Sequence, residues 1–152
     1  MAKRYWLMKS EPDVYSIDDL ERDGSTHWDG VRNYKARNNM KSMAVGDEVF
    51  FYHSNANPPG IVGIARVCRE AYPDSSQFDR KSKYFDPKSK EDEPRWFMVD
   101  VEFVAKADET VTLPEIKADA ALADMELVRY GRLSVQEVTK PEFARVKRMA
   151  GL

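Results

Sequence analysis

Cysteine is nearly absent. Cys68 is the only one, which excludes an intramolecular disulfide and any metal site built on a cysteine pair. It lies in the strand-like run Ile61–Cys68 and reads as a buried thiol rather than a nucleophile. Histidine is equally scarce, with His27 and His53 alone, so a His-rich metal centre is excluded too. No apolar run approaches the ~20 residues that a spanning helix needs, so no membrane partner is expected. The basic start, Met1 to Lys9, lacks the long apolar region of a signal peptide, and the protein is expected to stay inside the cell. A Gly-rich phosphate loop, a Gly-x-Ser-x-Gly elbow and a patterned carboxylate pair are all missing; no cofactor is expected and no catalytic residue is assigned. Excess charge is missing as well. A formal net charge of −2 provides no bulk grip on nucleic acid, so a nucleic-acid partner would need a local patch and a specific pocket.

What the chain does have is an eleven-residue stretch, Trp28-Asp29-Gly30-Val31-Arg32-Asn33-Tyr34-Lys35-Ala36-Arg37-Asn38, with aromatics, guanidiniums and amides around a glycine. It shows neither helical period nor strand alternation, so core packing does not explain it. These residue types can stack on a flat ring, hydrogen-bond its edge and hold a phosphate. The stretch therefore reads as one wall of a pocket for a base-like ligand. A surface loop whose tryptophan caps the core is the competing reading, and both stay open. On the pocket reading, Trp28→Ala abolishes binding with little change in melting temperature.

At 152 residues the chain is one domain, 1–152, long enough to bury a core. Tyr5–Met8 reads as a first strand that Pro12 brings to a bend. Ser16 with Asp19 has the spacing to cap a short helix burying Ile17 and Leu20 and closed by Gly24. Glu48–Ser54 and Ile61–Cys68 form a hairpin around a Pro-Pro-Gly loop, and Phe97–Val104 alternates as a third strong strand. Leu113-Pro114 opens a helix, Ser134–Val138 is a last strand, and Thr139 with Glu142 caps a terminal helix that turns Phe143 and Val146 inward. Between Tyr72 and Pro94 no period is sustained, and lysines including Lys83 and Lys88 alternate with aromatics. Such a loop either tracks a phosphate backbone, docks a protein or is plain solvated surface. The pattern suits an α+β fold in which short helices pack outside a curved sheet or small barrel.

His53 and Ser54 are strand neighbours and point to opposite faces, which argues against a local nucleophile–base pair. An enzyme acting on a nucleotide or small amide, with His53 as base, remains the alternative to a binding module. Four polar or aromatic islands sit at strand ends or turns: Lys9–Pro12, the Trp28 stretch, Tyr52–Ser54 and Arg95-Trp96.

Those islands belong to a longer set of ordered motifs. They are Trp6-Leu7-Met8-Lys9-Ser10-Glu11-Pro12, Trp28 through Tyr34 with Ala36-Arg37-Asn38, Val45-Gly46-Asp47, Phe50–Ser54, Pro59–Ala65, Tyr72-Pro73-Asp74, and Pro94-Arg95-Trp96 before Val99-Asp100-Val101. Together they resemble the EVE-domain family, related to YTH and other PUA-like modules. The resemblance implies a PUA-like small twisted β-barrel flanked by short helices and a pocket for a modified nucleobase in DNA or RNA. It also implies roles: Trp28 as a stacking wall, with Tyr34 beside it in the pocket, Asn33 and Ser10 on the base edge, and His53 with Ser54 on the floor. Lys9, Arg32, Arg37 and Arg95 would hold phosphate. The aromatic loop that completes the YTH cage has no counterpart in the motifs, so methyl-adenine selectivity is not carried over.

Overall fold

The computed structural model describes residues 3–152. Six strands form one mixed sheet in the order β2-β5-β4-β3-β1-β6. They are β1 (Tyr5–Ser10), β2 (Ser25–His27), β3 (Glu48–His53), β4 (Gly60–Pro73), β5 (Phe97–Thr112) and β6 (Val135–Val138). β1 runs parallel to β3, and the other ladders are antiparallel. Repeated register shifts between β4 and β5 bend the ladder. β2 and β6 remain its two edges, so the described strands make a curved sheet that is not closed into a hydrogen-bonded barrel.

The sheet is covered on both faces, which is why β1 and β3 read as nearly continuous apolar runs. Alternation sends Trp6, Met8, Val49 and Phe51 into one core cluster and Leu7, Phe50 and Tyr52 into the other. The first cluster lies under α1 (Ile17–Asp23) and α2 (Tyr34–Ser42). The second lies under α3 (Leu113–Ala118), α4 (Glu126–Arg129) and α5 (Lys140–Met149). Ser16 and Asp19 make the expected reciprocal cap on α1, Thr139 and Glu142 make it on α5, and Gly24 ends α1 at φ +82°.

Three features depart from the sequence reading. β2 is a strand of three polar residues too short to signal itself; its pairing with Asp100–Glu102 makes it one. β4 and β5 run on to Pro73 and Thr112, because each supplies the other's hydrogen bonds beyond the apolar segment. The stretch after Pro73 is folded around one buried amide. Gln77 donates to the carbonyls of Asp74 and Trp96 at 2.7 and 2.8 Å. Its Oε1 accepts from the backbone N–H groups of Arg95 and Trp96 at 3.1 Å each, and from the Ser89 hydroxyl. An amide with its bonds met in the interior holds the segment against the start of β5.

Candidate nucleic-acid interface

A cleft of about 890 Å³ opens where β1 and β3 end. Lys9 and Ser10 enter it from β1, and Tyr52 and Ser54 from the end of β3. Trp28 to Arg32 form a wall, Lys83 and Tyr84 come from the segment after β4, and Gly131 with Arg132 come from the turn before β6. The volume falls in the range of small-molecule and cofactor sites.

Trp28 is 8% exposed and belongs to the first core cluster, yet it also lines the cleft. Its backbone N–H donates to the Val99 carbonyl at 2.8 Å, and its ring meets Phe51 edge to face at 5.4 Å. The two readings left open by the sequence thus describe one residue, whose ring is mostly core with a margin bordering the hollow. The expectation that Trp28→Ala leaves the melting temperature alone is corrected accordingly. Truncating a buried tryptophan costs about 3–5 kcal/mol.

Beyond Trp28 the wall is locked from behind. Gly30 has φ +80° and donates its N–H to Asp74 Oδ2 at 2.8 Å. A Cβ at this position would lie 2.6 Å from the Tyr84 ring, so the glycine is what lets Tyr84 pack flat against the backbone. Arg32 donates to the Tyr84 carbonyl through Nε at 3.1 Å and Nη2 at 2.7 Å, to Ser76 Oγ at 3.1 Å and to Asp74 Oδ2 at 3.3 Å. Burial pushes the Asp74 carboxyl up, but bonds from Ser76 and Gly30 and the Arg32 guanidinium outweigh it and hold it below its ordinary range. Arg32 therefore reaches the cleft as a pin between two wall segments, with its donors largely occupied.

Lys9 is different. Its ammonium donates to the Gly131 carbonyl at 2.6 Å and lies 5.5 Å from the Tyr52 ring centroid, and it has no carboxylate partner among the described residues. Burial lowers its pKa. Of its three donors one is occupied, which leaves positive charge directed at the cleft. The Ser10 hydroxyl donates to the Tyr15 carbonyl at 2.7 Å, so toward a ligand it serves as an acceptor. The Ser54 N–H bonds the Ser10 carbonyl at 3.0 Å and ties the two strand ends together.

The other residues assigned from the resemblance lie elsewhere. His53, on the opposite side of the strand from Tyr52 and Ser54, accepts the Ile17 N–H at Nε2, 3.1 Å away. It satisfies the first turn of α1, and burial lowers its pKa, so it is held neutral as an acceptor. It does not line the cleft. Of the two residues assigned to the floor, Ser54 alone lines the cleft, and His53, the base of the enzymatic alternative, is not among its lining residues. Asn33 is the N-cap of α2: its Oδ1 accepts from the Ala36 N–H at 2.9 Å, and the residue is exposed outside the cleft. Tyr34 and Arg37 lie together on α2, where Arg37 donates to the Arg95 backbone carbonyl, and none of the three residues lines the cleft. Tyr52, in one of the islands the sequence singled out, lines the cleft, whereas Tyr84 and Arg132 were not assigned to it. Tyr84 had one signal, an aromatic inside a basic segment; Arg132 had none beyond a glycine turn.

The chain matches the EVE-domain family over residues 4–149. Thymocyte nuclear protein 1 of Mus musculus is 45% identical, over 91% of this chain and 70% of the mouse protein. A solved hypothetical protein from Leishmania major is 51% identical with a TM-score of 0.95, covering 99% of this chain and 96% of the other. Human THYN1, solved in complex with DNA containing 5-methylcytosine, is 42% identical with a TM-score of 0.94 and 99% coverage of both chains. With nearly its whole length matched in sequence and in backbone, the chain belongs to the EVE-domain family.

Proposed function

We propose that this protein is a non-catalytic reader of a modified base in DNA, taking the base out of the stack into the cleft beside Trp28. The observation that carries the reading is the cleft's composition. An indole margin sits together with hydroxyl and carbonyl groups at the ends of β1 and β3 and with the ammonium of Lys9. An aromatic edge suits a planar ring, fixed polar groups suit its hydrogen-bonding edge, and unpaired positive charge suits the strand that carries it. The human relative's complex with 5-methylcytosine DNA supports the choice of base. Extruding a base costs a few kcal/mol, and stacking on an aromatic returns about 1–3 kcal/mol, so the polar contacts must supply the remainder.

Trp28→Phe tests this without emptying the core. The affinities of wild type and variant are measured for a duplex with one 5-methylcytosine and for its unmodified counterpart. Wild type is expected to favour the modified duplex, and the variant to lose about tenfold of that preference, equivalent to ~1.4 kcal/mol. Equal wild-type affinities for the two duplexes would overturn the reading.

A further inference from the structure

We infer that Tyr52 and Lys9 form a paired-donor site in the cleft that selects a base with two adjacent hydrogen-bond acceptors on its pairing edge, a cytosine rather than a thymine. The inference rests on the base-reading function above and names the class of base that the same cleft takes.

Tyr52 and Lys9 are partners across the parallel β1–β3 ladder, so their side chains project from one face of the sheet. Leu7 and Phe50 precede them on that face inside the second core cluster, whereas Trp28 belongs to the first. The cleft therefore reaches around the ends of β1 and β3, with the indole margin on one side and the phenol and ammonium on the other.

Tyr52 is 3% exposed and is the one tyrosine of the buried core among the described residues. A buried phenol ordinarily spends its O–H on a partner. Even the less buried Tyr15 and Tyr72 donate to Asp23 and Asp100. The Tyr52 hydroxyl has no partner among the described residues, and it is not sealed in either, since Gln136 Oε1 is the only enclosed side-chain atom left unpaired there. Its remaining surface opens into the cleft that the residue lines. Phe50 and Phe51 precede it in β3, so the hydroxyl is what sets position 52 apart, and packing makes no use of it. Burial raises the pKa of this phenol, which keeps its proton in place for donation.

Lys9 supplies donors only, because an ammonium has no lone pair to offer. One donor is spent on the Gly131 carbonyl at 2.6 Å. The turn carrying that carbonyl is itself fixed, since Gln136 Nε2 donates to the Tyr130 and Leu133 carbonyls at 3.0 Å each. One remaining Lys9 donor and the phenol O–H make a preset pair, and the other is left for the strand. Cytosine offers O2 and N3 side by side as acceptors on its pairing edge, the edge by which an extruded base is read. Thymine puts an N3–H between its two oxygens and would set a donor against the ammonium. The pairing edges of adenine and guanine likewise never place two acceptors together. A site whose buried polar groups the wrong ligand leaves unpaired discriminates strongly against it. A methyl at C5 leaves O2 and N3 unchanged, so this pair reads cytosine and the methyl is read elsewhere in the cleft.

The test uses three duplexes that differ only in the base set opposite an abasic site: cytosine, 5-methylcytosine or thymine. The abasic partner removes differences in pairing, and 5-methylcytosine and thymine share the methyl. Wild type is expected to bind 5-methylcytosine at least about tenfold more tightly than thymine. Tyr52→Phe should lose about tenfold on both cytosines, ~1.4 kcal/mol, with thymine affinity and melting temperature little changed. If that variant fails to fold, Lys9→Met carries the comparison, because the ratio of 5-methylcytosine to thymine, unlike overall affinity, is blind to a phosphate contact. An unchanged ratio in a folded variant, or an equal loss on all three duplexes, overturns the donor pair and leaves the modified-base reading standing. A wild type that rejects thymine but treats the two cytosines alike upholds the donor pair and overturns the modified-base reading. A wild type that binds thymine as well as 5-methylcytosine overturns the pair outright, and one that binds none of the three overturns both.

Discussion

Trp28 and Tyr34 stand six positions apart in one stretch of sequence and ended on different surfaces. Trp28 lies in irregular chain before α2, its ring in the core and its margin at the cleft. Tyr34 is the first residue of α2, half exposed and stacked on Trp96 outside the cleft. Asn33 divides them. By capping the helix through Oδ1 it turns the chain from an irregular wall into a helical turn, and the next residues project from another side. One cluster of ligand-like residue types therefore serves two surfaces, and a single capping bond is the hinge between them.

Substitutions can break or sharpen that contrast. The largest effect should come from Trp28→Ala, losing about 3–5 kcal/mol in urea denaturation, whereas Tyr34→Ala should lose about 0.5–1.5 kcal/mol, the worth of its aromatic pair. Equal losses would erase the distinction between the buried ring and the exposed one. Next comes Gly30→Ala. A Cβ forced onto the Tyr84 ring at positive φ should cost ~2–4 kcal/mol and weaken binding of the modified duplex by loosening the wall. Asn33→Ala should cost about 1 kcal/mol, the usual loss for a helix cap, and keep the preference for the modified base. Loss of that preference in a folded variant would return Asn33 to the base edge. Lys83→Ala should flatten the salt slope because Lys83 lines the cleft; Lys88→Ala, exposed and off the cleft, should change it least.

His53 gives the start of α1 a pH signature. Burial lowers its folded pKa, so its contribution is present above the ordinary imidazole value of about 6.5 and is lost as pH falls through the lower folded value. The melting temperature of wild type should drop on acidification below about pH 6.5. In His53→Gln, whose carbonyl can still accept the Ile17 N–H, that part of the drop should vanish. An identical pH profile in the two proteins would mean that another group carries the acid sensitivity.

Local chemistry was enough to place most elements. Ser16 with Asp19, and Thr139 with Glu142, cap the helices their spacing predicts, because a capping box closes within four residues. The aromatic and β-branched runs of β3 and β5 are strands for the same local reason. The family, too, was legible from ordered motifs. What sequence could not decide was pairing and direction. β2 exists only because Asp100–Glu102 lie alongside it, and the segment after Pro73 is ordered only because Gln77 finds the carbonyl of Trp96 and the amides of Arg95 and Trp96 nineteen or fewer positions away. Which side of the wall each residue of the Trp28–Asn38 stretch faces depends on a cap, on Tyr84 and on Asp74, and the last two reach it from more than forty positions along the chain. Residue type determined what this protein is able to touch. Long-range contacts, which no local pattern encodes, decided which of those residues share a surface.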